Sequence, residues 1–289
     1  MKSFRHLCAL LIVALTAAGA IAQAVGANPS AAPAKANGST ANETHCSDIS
    51  GKDATLVLVS KLCEFALSYR RELPDFIAQQ TTTFRGLRSS TVVTSQVTFR
   101  AGLEYYTYLT VNGKPVTPET SLPRTVRFTS AGEFGSLLVD LFTAPVAVEF
   151  KLHKTSTVRG TPVAVYEFHV PENKNTFWTL RDASGHTWKP EFRGELWLDQ
   201  QTGHPLREIV EPSHLPAGCL VDSAKTVTDY AMTPVAEIGT FLLPIRSESR
   251  VCSRSRVGSL GACSTNTLVF HDYQKFKATT RILDATQEP

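Results

Sequence analysis

From Val92 onward the chain alternates apolar and polar residues with a period of two, in one short segment after another. Only a strand places successive side chains on opposite faces, so this alternation constrains the fold more than any other feature. Val92 to Phe99 sets Val93, Val97 and Phe99 on one face. Leu103 to Val111 does the same with Leu103, Tyr105, Leu109 and Val111, before Asn112-Gly113 signals a tight turn. Further segments run from Val146 to Leu152, Val163 to Val170, Thr176 to Arg181, Phe192 to Asp199, Leu206 to Val210, Lys225 to Met232, Phe241 to Arg250 and Asn266 to Phe276. Gly, Pro, Asn or Asp clusters separate most of them, so about ten strands joined by short turns predict a large antiparallel meander. No internal repeat of fixed period stands out.

Two helices accompany the strands. Between Asp53 and Arg71 the apolar residues Leu56, Leu58, Val59, Leu62, Phe65, Ala66 and Tyr69 recur near every 3.6 positions, and Pro74 stops the run. A shorter helix is predicted over Ala131 to Phe142, with Phe134, Leu137, Leu138, Leu141 and Phe142 on one side. Strand twist accumulates, so a sheet this large must curl, close or split. One long helix and one short one cannot cover both of its faces. The expected fold is mainly β (α+β): a large curved antiparallel sheet, an open half-barrel, wrapped around the long N-terminal helix and the short second one. Whatever the helices leave unfilled on the concave face would form an apolar trough.

The N-terminus has the layout of a cleaved secretory signal. Lys2, Arg5 and His6 precede an apolar run from Leu7 to Ala18, and small residues close it at Ala20-Ile21-Ala22. The run is shorter than the roughly 20 residues that cross a bilayer and ends without a basic flank, so an integral membrane protein is not expected. Cys8 lies at the start of the run rather than after it, which removes the usual lipid-attachment site. From Gly26 to Thr44 the chain is Ala, Pro, Ser, Asn and Gly with almost nothing large and apolar. The expected organisation is a signal peptide at 1–22, a disordered linker at 23–52 and a single β half-barrel domain at 53–285, in a secreted or periplasmic protein.

Charge excludes some partners. Lys and Arg number 29 against 26 Asp and Glu, and Lys2 and Arg5 leave with the signal, so the remaining chain is near neutral. Nucleic acid and strongly anionic membranes both call for clustered excess Lys and Arg, and neither is an expected partner. Five of the six cysteines lie beyond the signal, in a compartment where disulfides persist. Cys252 and Cys263 flank Gly258 and Gly261 in a stretch that reads as a hairpin connection, whose base lies within disulfide reach, so this is the expected bridge. Cys46 and Cys63 could pair, and Cys219 is expected to react with a thiol reagent.

No motif carries catalysis. Glu191, Arg193, Glu195, Trp197 and Asp199 share one strand face, which could be a carbohydrate or acid/base surface, but charges paired across a solvated face explain them. A glycosidase needs two carboxylates across a substrate, which one exposed strand does not supply. Gly135-Ser136 and Gly258-Ser259 both fail the serine-hydrolase elbow. His204 and Glu208 are four apart, but Pro205 and the strand context exclude a helical zinc pair. The cysteines and eight histidines are scattered, so neither a metal nor a cofactor is expected.

One set of motifs carries a family likeness. Gly194-Glu195-Leu196-Trp197-Leu198-Asp199, then Thr202-Gly203 and Leu206-Arg207-Glu208, resembles the strand-turn-strand signature of the periplasmic lipoprotein-carrier superfamily. Val227-Thr228-Asp229-Tyr230 and Phe241-Leu242-Leu243-Pro244 resemble its next paired strands, and together these cover Glu191 to Ile282. The superfamily includes outer-membrane lipoprotein-sorting proteins. The resemblance implies an open β half-barrel, closed on one side by helices, whose apolar concave surface holds acyl chains, with no cofactor and no catalysis. It implies lipid or lipoprotein acyl chains as partners, and an envelope protein is the other partner considered. The inward positions that would line such a trough are Phe150, Tyr166, Phe168, Leu196, Leu198, Phe241, Leu243 and Phe270. Filled by Phe65, Leu62 and Leu138 from the helices, the same residues are core, and the protein is then a packed structural or interaction module of the cell envelope.

Overall fold

The computed structural model describes residues 12–15, 46–86, 89–117, 133–143, 148–181, 186–216, 218–253 and 262–277. The expected linker outside 46–52 lies beyond the described residues. Eleven of the strands form one antiparallel sheet: β2 Phe76–Arg85, β3 Ser90–Arg100, β4 Leu103–Val111, β5 Lys114–Pro115, β6 Glu149–Val158, β7 Thr161–Val170, β10 Phe192–Asp199, β11 Pro205–Pro212, β12 Val221–Val235, β13 Gly239–Ser253 and β14 Cys263–Lys275. Their order is β5-β4-β3-β2-β14-β13-β12-β11-β10-β7-β6. β5 and β6 are the two edges and do not pair, so the sheet is an open half-barrel rather than a closed one. A small second sheet holds β1 Ile12–Leu15, β8 Trp178–Arg181 and β9 Thr187–Trp188.

Among the described residues three α-helices accompany the sheet: α1 Cys46–Lys52, α2 Val57–Glu72 and α3 Ser136–Thr143. α2 is the long expected helix. It follows a short 3-10 turn over Ala54–Leu56, capped by Asp53, whose Oδ1 accepts the Thr55 N–H at 2.8 Å. It ends where the Leu73 N–H bonds the Tyr69 carbonyl at 3.0 Å, just ahead of Pro74, which cannot continue a helix. Its stripe does two jobs. Leu58, Val59, Leu62 and Ala66 pack with β7, β10 and β12 residues, while Tyr69 and Leu73 pack with Phe76, Phe99 and Phe270 farther along the sheet. Each fully buried Leu or Val contributes roughly 1.5–3 kcal/mol.

Three local features depart from the sequence expectations. β2 was not expected, because its inward residues Phe76, Ala78, Gln80, Thr82 and Phe84 are polar at the middle of the strand and give no apolar alternation. On β4, the face bearing Leu103, Tyr105 and Leu109 is the exposed one, at 43%, 46% and 38%, because β4 lies near an open edge where neither face is deeply covered. α1 begins at Cys46, inside the expected linker. It is short and polar, and the Cys46–Cys63 disulfide to α2 anchors it. The second bridge, Cys252–Cys263, joins directly opposed residues of β13 and β14.

Candidate functional site

Strand register places the inward side chains in rows across the concave face. One row runs Phe150, Phe168, Gly194, Val210, Thr226, Ser249, Asn266, Phe84 and Thr91 from β6 to β3. The next runs Leu152, Tyr166, Leu196, Glu208, Thr228, Ser247, Leu268, Thr82 and Val93. In these two rows the face is apolar over β6, β7 and β10, apart from the bare Gly194, mixed at β11 with Val210 and Glu208, and polar at β12 and β13. The polar centre satisfies itself: Thr226 and Ser249 hydroxyls lie 2.9 Å apart, and those of Thr228 and Ser247 lie 3.2 Å apart.

The apolar end is built around one glycine. A Cβ on Gly194 would stand 2.0 Å from the Ile209 carbonyl oxygen and 2.4 Å from Phe168 Cζ, so the Phe168 ring lies on bare backbone. Aromatic rings continue from there in both directions. Phe168 stands 6.4 Å from Phe150 and 6.2 Å from Phe192, and Phe150 stacks on Phe142 of α3 at 5.7 Å. Phe192 in turn meets Phe177 at 5.4 Å and Trp178 at 5.2 Å. α3 lies over this end with Ser136, Leu137, Leu138, Leu141 and Phe142 buried.

All eight trough positions lie in, or packed against, the two main apolar clusters. Tyr166, Phe168, Leu196 and Leu198 share one with Leu62 and Leu138, and Phe150 packs against it. Leu243 and Phe270 belong to the other, with Phe241 packed against it. Leu196, Leu198 and Leu243 are fully buried, whereas Phe150 and Phe241 are partly exposed. The row opens to solvent only at its β6 end, where Leu152, facing Tyr166, is 37% exposed.

Glu208 is a carboxylate set into the middle of the inward rows, which sequence reasoning weighed as half of a zinc pair and as part of the family-like motif. It is 5% exposed and accepts the Tyr230 hydroxyl at 3.3 Å. Burial pushes its carboxyl up to about 8; the Tyr230 hydrogen bond opposes this, and Glu133 adds to it. Leu206, Glu208 and Val210 are two apart, so alternation would place Glu208 on a face with two apolar residues, and that was the available signal, but a lone Glu in a strand usually faces water.

The outward face of β10 is a set of paired charges. Trp197 Nε1 donates to Glu195 at 2.7 Å, Arg193 pairs with Glu211 at 2.9 Å, and His169 with Glu191 at 3.1 Å. Arg207 binds Asp229 at 2.6 Å while lying 5.6 Å from the Trp197 ring centroid. The Asp199–Gly203 turn docks on α2. Asp199 Oδ1 accepts the Gln201 and Thr202 N–H groups at 2.8 Å, and Lys61 Nζ donates to the Gln201 carbonyl at 3.3 Å. Gly203, at φ +77°, leaves room for Lys61, which a Cβ would meet at 2.8 Å. The His204 ring packs against Phe65 with centroids 4.8 Å apart, and burial lowers its pKa against the pull of Asp199. The carrier-like motif is thus a strand and turn that seat α2. Cys219, expected to be reactive, is a buried thiol outside both bridges at 1% exposure, because it packs into the main cluster. Among the described residues no group of three His, Cys, Asp or Glu could hold a metal ion. A cleft of about 680 Å³ lies beside β8 and β9, lined by Pro171, Asn175, Trp188, Lys189, Glu191 and Pro216 among others. No helix among the described residues is long and apolar enough to cross a membrane.

No protein-family model matches the chain, and no curated protein matches it in sequence. Solved structures are similar to it at low identity. A LolA superfamily protein from Nitrosomonas europaea is 12% identical over 75% of this chain and 93% of its own, with a TM-score of 0.37. A DUF1329 family protein from Desulfovibrio piger is 8% identical over 80% and 95%, with a TM-score of 0.32. An outer membrane lipoprotein-sorting protein domain from Vibrio parahaemolyticus is 11% identical over 74% and 90%, with a TM-score of 0.31.

Proposed function

We propose that the chain is a secreted or periplasmic binding protein without catalytic activity, which holds an apolar chain, such as the acyl tail of a lipid or lipoprotein, against the concave face of its sheet. The observation that supports this reading is the β6 end of the apolar row. There Phe150 and Leu152 face inward yet reach solvent, and the eight-residue α3 covers the deeper positions with its Phe142 against Phe150. An acyl chain entering at β6 would take the place of α3 and meet Phe150, Phe168 and Leu196 in turn. It gains roughly 0.8 kcal/mol per buried methylene, which offsets the apolar contacts that α3 gives up.

A second reading has its own support. Every one of the eight trough positions already packs against helix or sheet residues, as in an envelope module with a filled core. Titration with a fluorescent fatty acid separates the two. The carrier reading expects saturable binding by the wild type and at least a tenfold loss in Leu152→Glu, with unchanged circular dichroism, since Leu152 is exposed enough to change without unfolding the chain. An absence of saturable binding by the folded wild type would leave the packed module.

A further inference from the structure

We propose, on the footing of the acyl-chain reading, that Glu208 ends the apolar path of the concave face and so makes the protein selective for acyl chains of medium length. A chain that enters at β6 and meets Phe150, Phe168 and Leu196 has β11 before it next, and there Glu208 stands directly opposite Leu196. Beyond Glu208 its row continues with Thr228 and Ser247, and the neighbouring row with Thr226 and Ser249. All four are buried, and their hydroxyls are already bonded to one another in pairs. A methylene pushed among them would gain no apolar partner and would take a hydroxyl from its bond.

The carboxyl itself is the stop. Glu208 is 5% exposed and is held by the Tyr230 hydroxyl at 3.3 Å. An aliphatic chain end laid against it would cover its oxygens and return no hydrogen bond, a cost met once the chain is longer than the path. Three strand spacings of about 4.8 Å separate β6 from β11, so the path from Phe150 to Glu208 is about 14 Å long. Carbon–carbon bonds of about 1.5 Å at tetrahedral angles advance about 1.25 Å each, so a chain of about twelve carbons fills it. A hydroxyl on the last carbon changes the match, because it can bond to the carboxyl that an aliphatic end only covers.

Wild type, Glu208→Gln and Glu208→Leu are titrated with octanoate, dodecanoate, ω-hydroxydodecanoate and hexadecanoate, each read by displacement of a fluorescent fatty acid, with circular dichroism to confirm the fold. The wild type should bind dodecanoate at least about tenfold more tightly than octanoate, and hexadecanoate no more tightly than dodecanoate. Glu208→Gln, which keeps a polar end to the path, should keep that order, whereas Glu208→Leu should bind hexadecanoate at least about tenfold more tightly than the wild type does. Leu is close to Glu in size and brings no polar group to bury. If Glu208→Leu does not fold, the wild type alone still decides: ω-hydroxydodecanoate should bind within about threefold of dodecanoate, whereas an apolar end to the path would cost it about tenfold or more. Affinity that keeps rising through hexadecanoate, a wild-type length order in folded Glu208→Leu, or a tenfold loss from the terminal hydroxyl would overturn the proposal and leave the acyl-chain reading standing. No saturable binding of any of these acids by the folded wild type would overturn both.

Discussion

Glu208 gives the fold a pH dependence of definite sign and size. In the unfolded chain its carboxyl titrates near the ordinary 4.5, while burial among Tyr230, Leu196 and Thr228 holds the folded-state value up to about 8. Between these values the folded state binds the proton and the unfolded state does not, so this group's contribution to stability falls as pH rises. It is fully present below about pH 4.5 and is lost as pH climbs through about 8. The slope is about 1.4 kcal/mol per pH unit, which integrates to about 3–4 kcal/mol between pH 5 and pH 8. Glu133 adds its charge to the surroundings of Glu208, and the chain's other ionisable groups contribute their own pH dependence, so the measurement is a difference. Glu208→Gln keeps the shape and an acceptor for the Tyr230 hydroxyl but cannot ionise. Urea unfolding of both proteins at pH 5, 6, 7 and 8 should show the wild type losing about 3–4 kcal/mol relative to the variant across the series, with unchanged m-values. A wild-type-to-variant difference constant with pH to within about 0.5 kcal/mol would refute the argument, since an exposed carboxylate of ordinary pKa is already ionised in both states at these pH values.

Gly194→Ala forces a Cβ against the Ile209 carbonyl and the Phe168 ring, and chemical denaturation should show a loss of about 3 kcal/mol or more, at the upper end of overpacking effects. Replacing Cys46 and Cys63 together with Ser should lower stability by about 3 kcal/mol from the freed 17-residue separation, read by thermal unfolding. Non-reducing peptide mapping should recover Cys46 with Cys63 and Cys252 with Cys263, and Cys219 should resist a thiol reagent until the protein is unfolded. Arg193→Ala, by contrast, removes an exposed ion pair with Glu211 and should cost less than about 1 kcal/mol.

The parts of this fold that were readable in the sequence are those where one physical signal acts alone. β10 runs from Phe192 to Asp199 as its alternation indicates, because it sits mid-sheet with one face on the core and one in water. The α2 stripe is legible for the same reason. β2 was hidden because its inward face includes Gln80 and Thr82, so burial and hydrophobicity part company in the strand. The Leu103–Tyr105–Leu109 face of β4 looked like core, yet near an open edge an apolar face can be left to solvent. The trough positions lie in or against the two apolar clusters, and whether a helix or a ligand covers them depends on where α3 lies in space. That is a property of tertiary packing, which spacing along the chain does not encode. The burial of Glu208 was not legible because it depends on residues that other strands bring to it, Tyr230 among them.

Native mass spectrometry of the wild-type protein, isolated from its native cell and released under mild conditions, addresses the binding reading most directly. A folded protein that carries a discrete added mass, lost on organic extraction and matched by acyl chains in the extract, is the outcome expected of a carrier. A protein recovered only at its polypeptide mass, before and after exposure to lipid, would contradict it and leave a sheet whose concave face is filled by α2 and α3 alone.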